Sequence, residues 1–182
     1  ANLVTISGLD APGALAFDVA GNLWIAERGK SDVVKFAVGR LGASTSAAPD
    51  VVLTAQTPLP VVGPLTAPSG IAFDATGNMW VNFNDTFARF TVADRAATAL
   101  LTPAVQIGLD VAALSENLTF DESGGLWFSY TAGKLARLSQ AQLAASGTIA
   151  PATIITDDTF GYADQIAIYP APAALPIFGK VP

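Results

Sequence analysis

The stretch IAFDATGNMW, residues 71–80, decides the fold, because it recurs twice elsewhere in this chain of 182 residues. LAFDVAGNLW occupies residues 15–24, and LTFDESGGLW occupies residues 118–127. The copies end in tryptophans that follow one another at 56 and 47 residues: Trp24, Trp80 and Trp127. Repeats of about this length are typical of propellers and other repeat architectures, so a repeat fold is the first hypothesis to test.

Each copy predicts two strands joined by a tight turn. The apolar run at residues 71–73 predicts a buried strand, and residues 79–81 predict the next one. Between them, Asp74 can accept hydrogen bonds from turn N–H groups, and Gly77 can adopt a positive φ. We therefore interpret the repeated positions as structural, with the tryptophans packed between units; a calcium loop and a sugar-stacking surface are the alternatives. These positions are Asp18, Gly21, Trp24, Asp74, Gly77, Trp80, Asp121, Gly124 and Trp127.

Two further strands follow each copy. In the second copy they are the alternating segment 87–90 and an apolar segment that begins after Pro103. A proline at this place is tolerated at the start of a strand or at a sheet edge. Four antiparallel strands in each repeated unit predict an all-β fold, a β-propeller. The other copies carry the same segments at residues 33–36, 51–53, 134–138 and 153–155.

A fourth unit is incomplete in the sequence. Residues 165–169 match a first strand, residues 174–178 suggest a second, and residues 2–6 resemble an outer strand. We expect a single domain, residues 1–182, forming a propeller of about four blades. Three blades are complete, and the fourth is closed by the N-terminal strand or by a partner chain. The approximate repeat units are 1–48, 49–102, 103–150 and the partial unit 151–182.

The composition indicates a large apolar surface to be buried. Apolar residues make up 51% of the chain and charged residues 13%, and the mean hydropathy is +0.45. No apolar run reaches the 18 or so residues that a membrane helix needs, so no membrane span is expected. The apolar excess must lie in a core, in a subunit interface, or in both. We also expect the apolar segment around Val61, Val62 and Leu65 to form a contact patch or to pack over a blade.

Charge and missing residue types exclude several kinds of function. The net charge is −6, and the basic residues are scattered singly, which argues against nucleic-acid binding. The 182 residues contain no Cys and no His. Cysteine nucleophiles, thiolate metal sites and Ser–His arrangements are therefore excluded within them.

The motif P-x-G-[IL]-A-F-D-x-x-G-N-[LM]-W-[VI], carried best by residues 68–74 and 77–81, resembles the NHL-type and gluconolactonase-like β-propeller repeats. It is especially similar to bacterial secreted propellers with G-N-L-W-V blades, and the resemblance extends from residue 12 to about residue 169. Propellers of this family usually have six or more blades. The loops rich in Ala, Thr and Pro, with few Lys, favour a secreted, periplasmic or extracellular bacterial protein. Some relatives are metal-dependent lactonases that use Glu, Asn and Asp near the channel, some are streptogramin lyases that depend on a His, and some bind protein or RNA.

The loops expected at the ligand-binding end of a propeller carry acidic and amide side chains. Hard cations prefer such oxygen ligands, so we consider a bound Ca²⁺ or other divalent cation; solvated loop polarity is the alternative. The candidate metal ligands, chosen as channel-facing residues, are Glu27, Asn82, Asn117 and Asp164. We expect no other cofactor, and we assign no catalytic residue.

Three functions remain after these exclusions. The first is a non-catalytic extracellular β-propeller that acts in interaction, assembly or scaffolding. Its partner is a protein, either another protein or further copies of itself in a homo-oligomer or filament. The second is a metal-dependent lactonase-like hydrolase with carboxylate ligands. The third is a lectin-like propeller that binds carbohydrate or small molecules through loop aromatics such as Phe83 and Tyr130.

Overall fold

A computed structural model describes residues 3–56, 65–110, 117–129, 133–156 and 166–168 of the chain. This part consists mainly of strands, and its helices are three-residue 3-10 turns: Val38–Arg40, Asp94–Ala96 and Gln142–Ala144. None of these described helices is long enough to cross a membrane. The prediction of an all-β fold is confirmed.

Three four-stranded antiparallel sheets, the blades, follow one another along the chain. Blade 1 contains β1 (Pro12–Phe17), β2 (Leu23–Glu27), β3 (Asp32–Phe36) and β4 (Val51–Ala55). Blade 2 contains β5 (Pro68–Phe73), β6 (Met79–Phe83), β7 (Thr86–Phe90) and β9 (Val105–Leu109), with the short β8 (Ala99–Leu101) before β9. Blade 3 contains β10 (Leu118–Phe120), β11 (Leu126–Ser129), β12 (Lys134–Leu138) and β14 (Thr153–Thr156), with the short β13 (Gly147–Ile149) before β14.

The first strands of the blades lie side by side, because β1 contacts β5 and β5 contacts β10. The fourth strands lie at the opposite, outer edges of the sheets. Each outer edge of blades 1 and 2 receives a short strand from the next blade: β8 pairs in parallel with β4, and β13 pairs in parallel with β9. These two short strands, which join neighbouring blades, are not predicted by the sequence pattern.

The turn between the first two strands of each blade is built around its aspartate. In blade 2, Asp74 Oδ1 accepts the backbone N–H groups of Thr76 and Asn78, at 3.0 and 2.9 Å. Asp74 Oδ2 accepts the indole N–H of Trp80 at 3.1 Å, and Gly77 has the positive φ of 83° that the turn needs. The corresponding Asp–Trp hydrogen bonds, both 2.9 Å, join Asp18 to Trp24 and Asp121 to Trp127.

The core lies between the blades. Trp24 of blade 1 is buried in one cluster with Phe73 and Phe90 of blade 2. Trp80 of blade 2 packs in the same way toward blade 3, with its ring 6.3 Å from the ring of Phe120. Because the apolar side chains of one blade are covered by the next blade, a blade is not a folding unit by itself.

The chain before β1 lies against blade 1. Ile6 forms a parallel bridge with Thr45 and packs on the face of blade 1 that carries Leu23 and Phe36. The Ala- and Ser-rich segment around Thr45 is held in place, because Arg40 donates to the carbonyl of Ala48 and pairs with Asp50 at 3.0 Å. Residues 165 and 169–182, on which the fourth blade depends, lie outside the described residues, so the number of blades stays a prediction.

Candidate functional site

The candidate metal ligand Glu27 ends β2 and is 2% exposed. Its Oε1 accepts the backbone N–H of Asp10 at 2.9 Å and forms an ion pair with Lys30 Nζ at 3.0 Å. The lysine ammonium neutralises the carboxylate that a cation would need. A cation bound at Glu27 would therefore have to compete with Lys30.

The other candidate ligands differ in where they lie along their blades. Asn82 lies inside β6, is fully buried, and donates from Nδ2 to Ser69 Oγ at 3.0 Å. Asn117 directly precedes β10 and is partly exposed, and Asp164 lies outside the described residues. The position in β6 that is equivalent to Glu27 is Phe83, because Pro12 pairs with Glu27 as Pro68 pairs with Phe83.

Within the described ranges, no three acidic side chains come together to hold a metal ion. The divalent-cation site thus stays a prediction. The sugar-stacking role suggested for Phe83 is not compatible with its position, since Phe83 is 1% exposed and belongs to the core between blades 1 and 2. Tyr130, the other aromatic suggested for that role, lies outside the described residues. Leu65 is buried in the same core, whereas Val61 and Val62 are not described.

An apolar surface lies on the first strand of blade 1, which we call the leading face. Leu15 is 63% exposed and Phe17 is 38% exposed. The equivalent residues of blade 2, Ile71 and Phe73, are each 6% exposed, because blade 1 covers them. The leading face therefore has the chemistry of an interface between blades without a described blade against it.

A second apolar surface lies on the last strand of blade 3, which we call the trailing face. Ile155 is 44% exposed, whereas the equivalent Leu53 and Ile107 are 1% and 0% exposed. Each of these three residues pairs with the third strand of its own blade at the same register. All four residues of β14 are exposed, and no described strand pairs with its outer edge.

Arg95 connects blades 1 and 2, a role that the sequence did not indicate. Its guanidinium lies 5.4 Å from the ring of Trp24 and 5.0 Å from the ring of Phe73, and it donates to the carbonyl of Gly77. Burial lowers the pKa of Arg95, while nearby carboxylates, first Asp18, act in the opposite direction. A cation over two aromatic faces fills the space that Leu143 fills between blades 2 and 3.

The aspartates of the turns are ionised and already hydrogen-bonded, so they are poor candidates for acid–base catalysis. Burial opposes ionisation of Asp18 and Asp74, but the hydrogen bonds to each carboxylate outweigh it and lower both pKa values. In blade 3 the Arg137 side chain, with Nε 2.6 Å from Asp121 Oδ2, adds to such hydrogen bonds and lowers the pKa of Asp121 further. These groups stabilise turns as anions and hold no proton that they could exchange near neutral pH.

No protein-family description matches the sequence, and no curated protein matches it. Solved structures do match. Hydrazine synthase of Kuenenia stuttgartiensis has a TM-score of 0.59 at 10% identity, over 88% of this chain and 39% of that chain. A catalytically inactive histidine-to-alanine variant of virginiamycin B lyase from Staphylococcus aureus, solved with quinupristin, has a TM-score of 0.52 at 14% identity, over 84% of this chain and 43% of that chain.

The WD40 domain of Toxoplasma gondii coronin matches with a TM-score of 0.52 at 14% identity, over 72% of this chain and 32% of that chain. The present chain thus spans less than half the length of these solved chains. At such low identity the likeness concerns the fold alone. The predicted β-propeller class is confirmed.

Proposed function

We propose that this protein is a non-catalytic propeller module that acts by contact with other protein chains, in interaction, assembly or scaffolding. The proposal is carried by the exposure of Leu15 and Phe17, because the equivalent Ile71 and Phe73 of blade 2 are buried under blade 1. A contiguous apolar surface in contact with water is unfavourable, and such surfaces mark sites of protein contact.

The absence of histidine supports a non-catalytic role. The virginiamycin B lyase variant that lost activity is a histidine-to-alanine variant, and the 182 residues of this chain contain no histidine. A streptogramin lyase reaction that uses that histidine cannot be carried out by these residues. The turn carboxylates of Asp18, Asp74 and Asp121, whose pKa values are lowered, despite burial, by their hydrogen bonds, do not supply a substitute base.

We also propose that the propeller is built of NHL-type repeats in a secreted or periplasmic bacterial protein. The G-N-L-W-type motif at residues 77–81 supports an NHL-type, gluconolactonase-like repeat, and the loops rich in Ala, Thr and Pro support a secreted or periplasmic bacterial protein. A divalent cation held by loop carboxylates would be structural in such a module. Isothermal titration of calcium into chelator-treated protein would test this point.

Binding of an apolar dye tests the proposed contact surface. Anilinonaphthalene sulfonate fluorescence should rise with the wild-type protein at dilution, and the change Leu15→Glu should lower it several-fold by charging the leading face. Val92→Glu is the matched control, because Val92 is 58% exposed on the connection after β7, away from the leading face. Equal dye binding by all three proteins would contradict the proposal.

A further inference from the structure

A repeated contact joins the blades, which we call the clasp. The second residue of an outer strand donates its backbone N–H to a Ser or Thr hydroxyl of the next blade. In blade 1, Val52 N–H donates to Thr98 Oγ1 at 3.0 Å, and Leu53 pairs in parallel with Ala99. In blade 2, Gln106 N–H donates to Ser146 Oγ at 3.0 Å, and the next residue pairs with Gly147.

The same clasp occurs a third time, on the leading side of blade 1. Thr5 N–H donates to Ser44 Oγ at 2.9 Å, and Ile6 forms its parallel bridge with Thr45. Residues 3–7 therefore hold the position of an outer strand of a preceding blade. They do so without the rest of that blade, and Leu15 and Phe17 stay exposed beside them.

The trailing side of blade 3 has the complementary half of this contact. Ile154 pairs with Ala136 of β12 at the register at which Val52 pairs with Val34 of β3. Ile154 N–H is thus the equivalent donor, and all four residues of β14 are exposed. By analogy with blades 1 and 2, β14 has the donor side of a clasp, and blade 1 has the acceptor side at Ser44 and Thr45.

We propose that two copies of this chain associate head to tail, with β14 of one copy in the Ser44–Thr45 clasp of the other. This inference rests on the proposed function and names the partner as a second copy. In this arrangement β14 replaces residues 3–7, and the trailing face, with Trp127, Leu135 and Ile155, covers the leading face. The contact repeats, between two copies, the pairing that blades 1 and 2 make within one chain.

The exchange is favourable because β14 brings a whole blade with it. Residues 3–7 contribute one bridge, the hydrogen bonds around Ser44 and Thr45 and the packing of Ile6, and they leave Leu3 90% exposed. β14 is backed by a four-pair ladder to β12, so its entry also removes Leu15, Phe17 and Ile155 from water. The hydrogen bonds that residues 3–7 give up are replaced by equivalent bonds from β14.

The number of described blades in two copies is also compatible with a closed ring. A head-to-tail contact uses two different surfaces, so it either closes into a ring or continues without end. Each copy supplies the three described blades, and two copies supply six, within the range of about four to eight blades seen in propellers. A third copy would exceed that range.

Light scattering coupled to size exclusion tests the arrangement. The wild-type chain should elute at twice its mass of 18.6 kDa. Leu15→Glu on the leading face and Ile155→Glu on the trailing face should each give a single chain. An equimolar mixture of the two variants should restore a two-chain species, because one intact leading face meets one intact trailing face. Val92→Glu should stay at two chains, and circular dichroism should show all variants folded.

Other results would overturn the inference. A wild-type mass of one chain at every concentration, or a mass above two chains, contradicts a two-copy ring. If Ile155→Glu still pairs, or if the mixture does not, the contact is not head to tail. A single-chain wild type whose dye binding is lost in Leu15→Glu would refute the second copy as partner and leave the proposed contact function in place.

Discussion

Blade 2 lies between blades 1 and 3, so the three blades carry the same repeat in different surroundings. Every residue of β5 in blade 2 is buried, whereas β1 in blade 1 has Leu15 and Phe17 exposed. The motifs at residues 15–24 and 71–80 share their Asp, Gly, Asn and Trp residues. The difference shows that the repeat specifies a blade, whereas burial of its apolar side chains depends on the neighbouring blade.

The largest expected difference between the blades comes from their equivalent phenylalanines. Phe73→Ala should lower the free energy of unfolding by about 3–5 kcal/mol, because it removes a buried ring between blades 1 and 2. Phe17→Ala should cost about 1 kcal/mol, since much of its ring is already in water. Urea unfolding of dilute protein, followed by tryptophan fluorescence, measures both.

Equal losses for the two phenylalanine variants would show that blade 1 is covered in solution by the chain itself. Repeating the unfolding at high protein concentration sharpens the comparison. If two copies pair through the leading face, the cost of Phe17→Ala should grow with concentration, while the cost of Phe73→Ala should not.

The turns of blades 2 and 3 differ in the donor that binds their aspartate. Blade 2 has Asn78, whose Nδ2 donates to Asp74 at 3.0 Å, where blade 3 has Gly125. In blade 3 Arg137 takes over, with Nε 2.6 Å from Asp121 Oδ2, and a side chain at position 125 would overlap its guanidinium. The arginine thus replaces the missing amide donor.

Arg137→Ala should therefore cost about 1.5–3 kcal/mol of unfolding free energy, the range for a hydrogen bond to a charged group. Arg89→Ala, at the equivalent position of blade 2, should cost about 0.5–1 kcal/mol, because Arg89 lies 5.8 Å from the Trp80 ring and the turn keeps its Asn78. Thermal unfolding at neutral pH distinguishes them. A larger loss of stability for Arg89→Ala than for Arg137→Ala would show that Arg137 does not take the role of the missing Asn donor.

Acid should weaken the turns of all three blades. The pKa of Asp74 in the folded protein lies below the ordinary carboxyl value of about 3.9, since hydrogen bonds outweigh burial. A group with a lowered folded pKa stabilises the protein above its unfolded pKa, and this stability is lost as the pH falls through the folded pKa. The urea midpoint should thus fall between about pH 5 and pH 2.

Asp74→Asn should make that pH dependence shallower and lower stability at pH 7 by about 1–2 kcal/mol, because the Trp80 and turn hydrogen bonds lose their charged acceptor. Urea titrations at several pH values measure the slope. Asp85→Asn, a substitution of a carboxylate outside these turns, serves as the control. If Asp74→Asn does not change the slope of stability against pH, this turn does not contribute to acid sensitivity.

The smallest expected effect is in the clasps. Ser146→Ala should cost about 1 kcal/mol, because it removes the partner of the N–H group of the buried Gln106. Ser44→Ala, in the exposed clasp of residues 3–7, should cost a few tenths of a kcal/mol, since water can replace the hydroxyl. Amide hydrogen exchange at Gln106 and Thr5 reports each clasp directly, and equal protection losses would contradict the ranking.

Much of the architecture could be read from the sequence because its signals are local. Asp74, Gly77 and Trp80 lie within seven residues, and the chemistry of their turn is contained in that stretch. The candidate site could not be read in the same way. Lys30, the ion-pair partner of Glu27, lies three residues away, but no sequence pattern indicates that pairing. Phe83, which the sequence places in a loop, is buried in β6.

The sequence alone determined the four-stranded repeat, its turns and the packing of Trp24 and Trp80 between blades, because these depend on spacing and on backbone hydrogen bonds within a few residues. Only the tertiary structure decided which equivalent residues are buried and which strands join the blades. The clasp links Gln106 to Ser146, 40 residues apart, and short segments such as β13 carry no periodic signal. Contacts of this range depend on how the blades are stacked, and that stacking leaves Leu15 and Ile155 exposed at opposite ends.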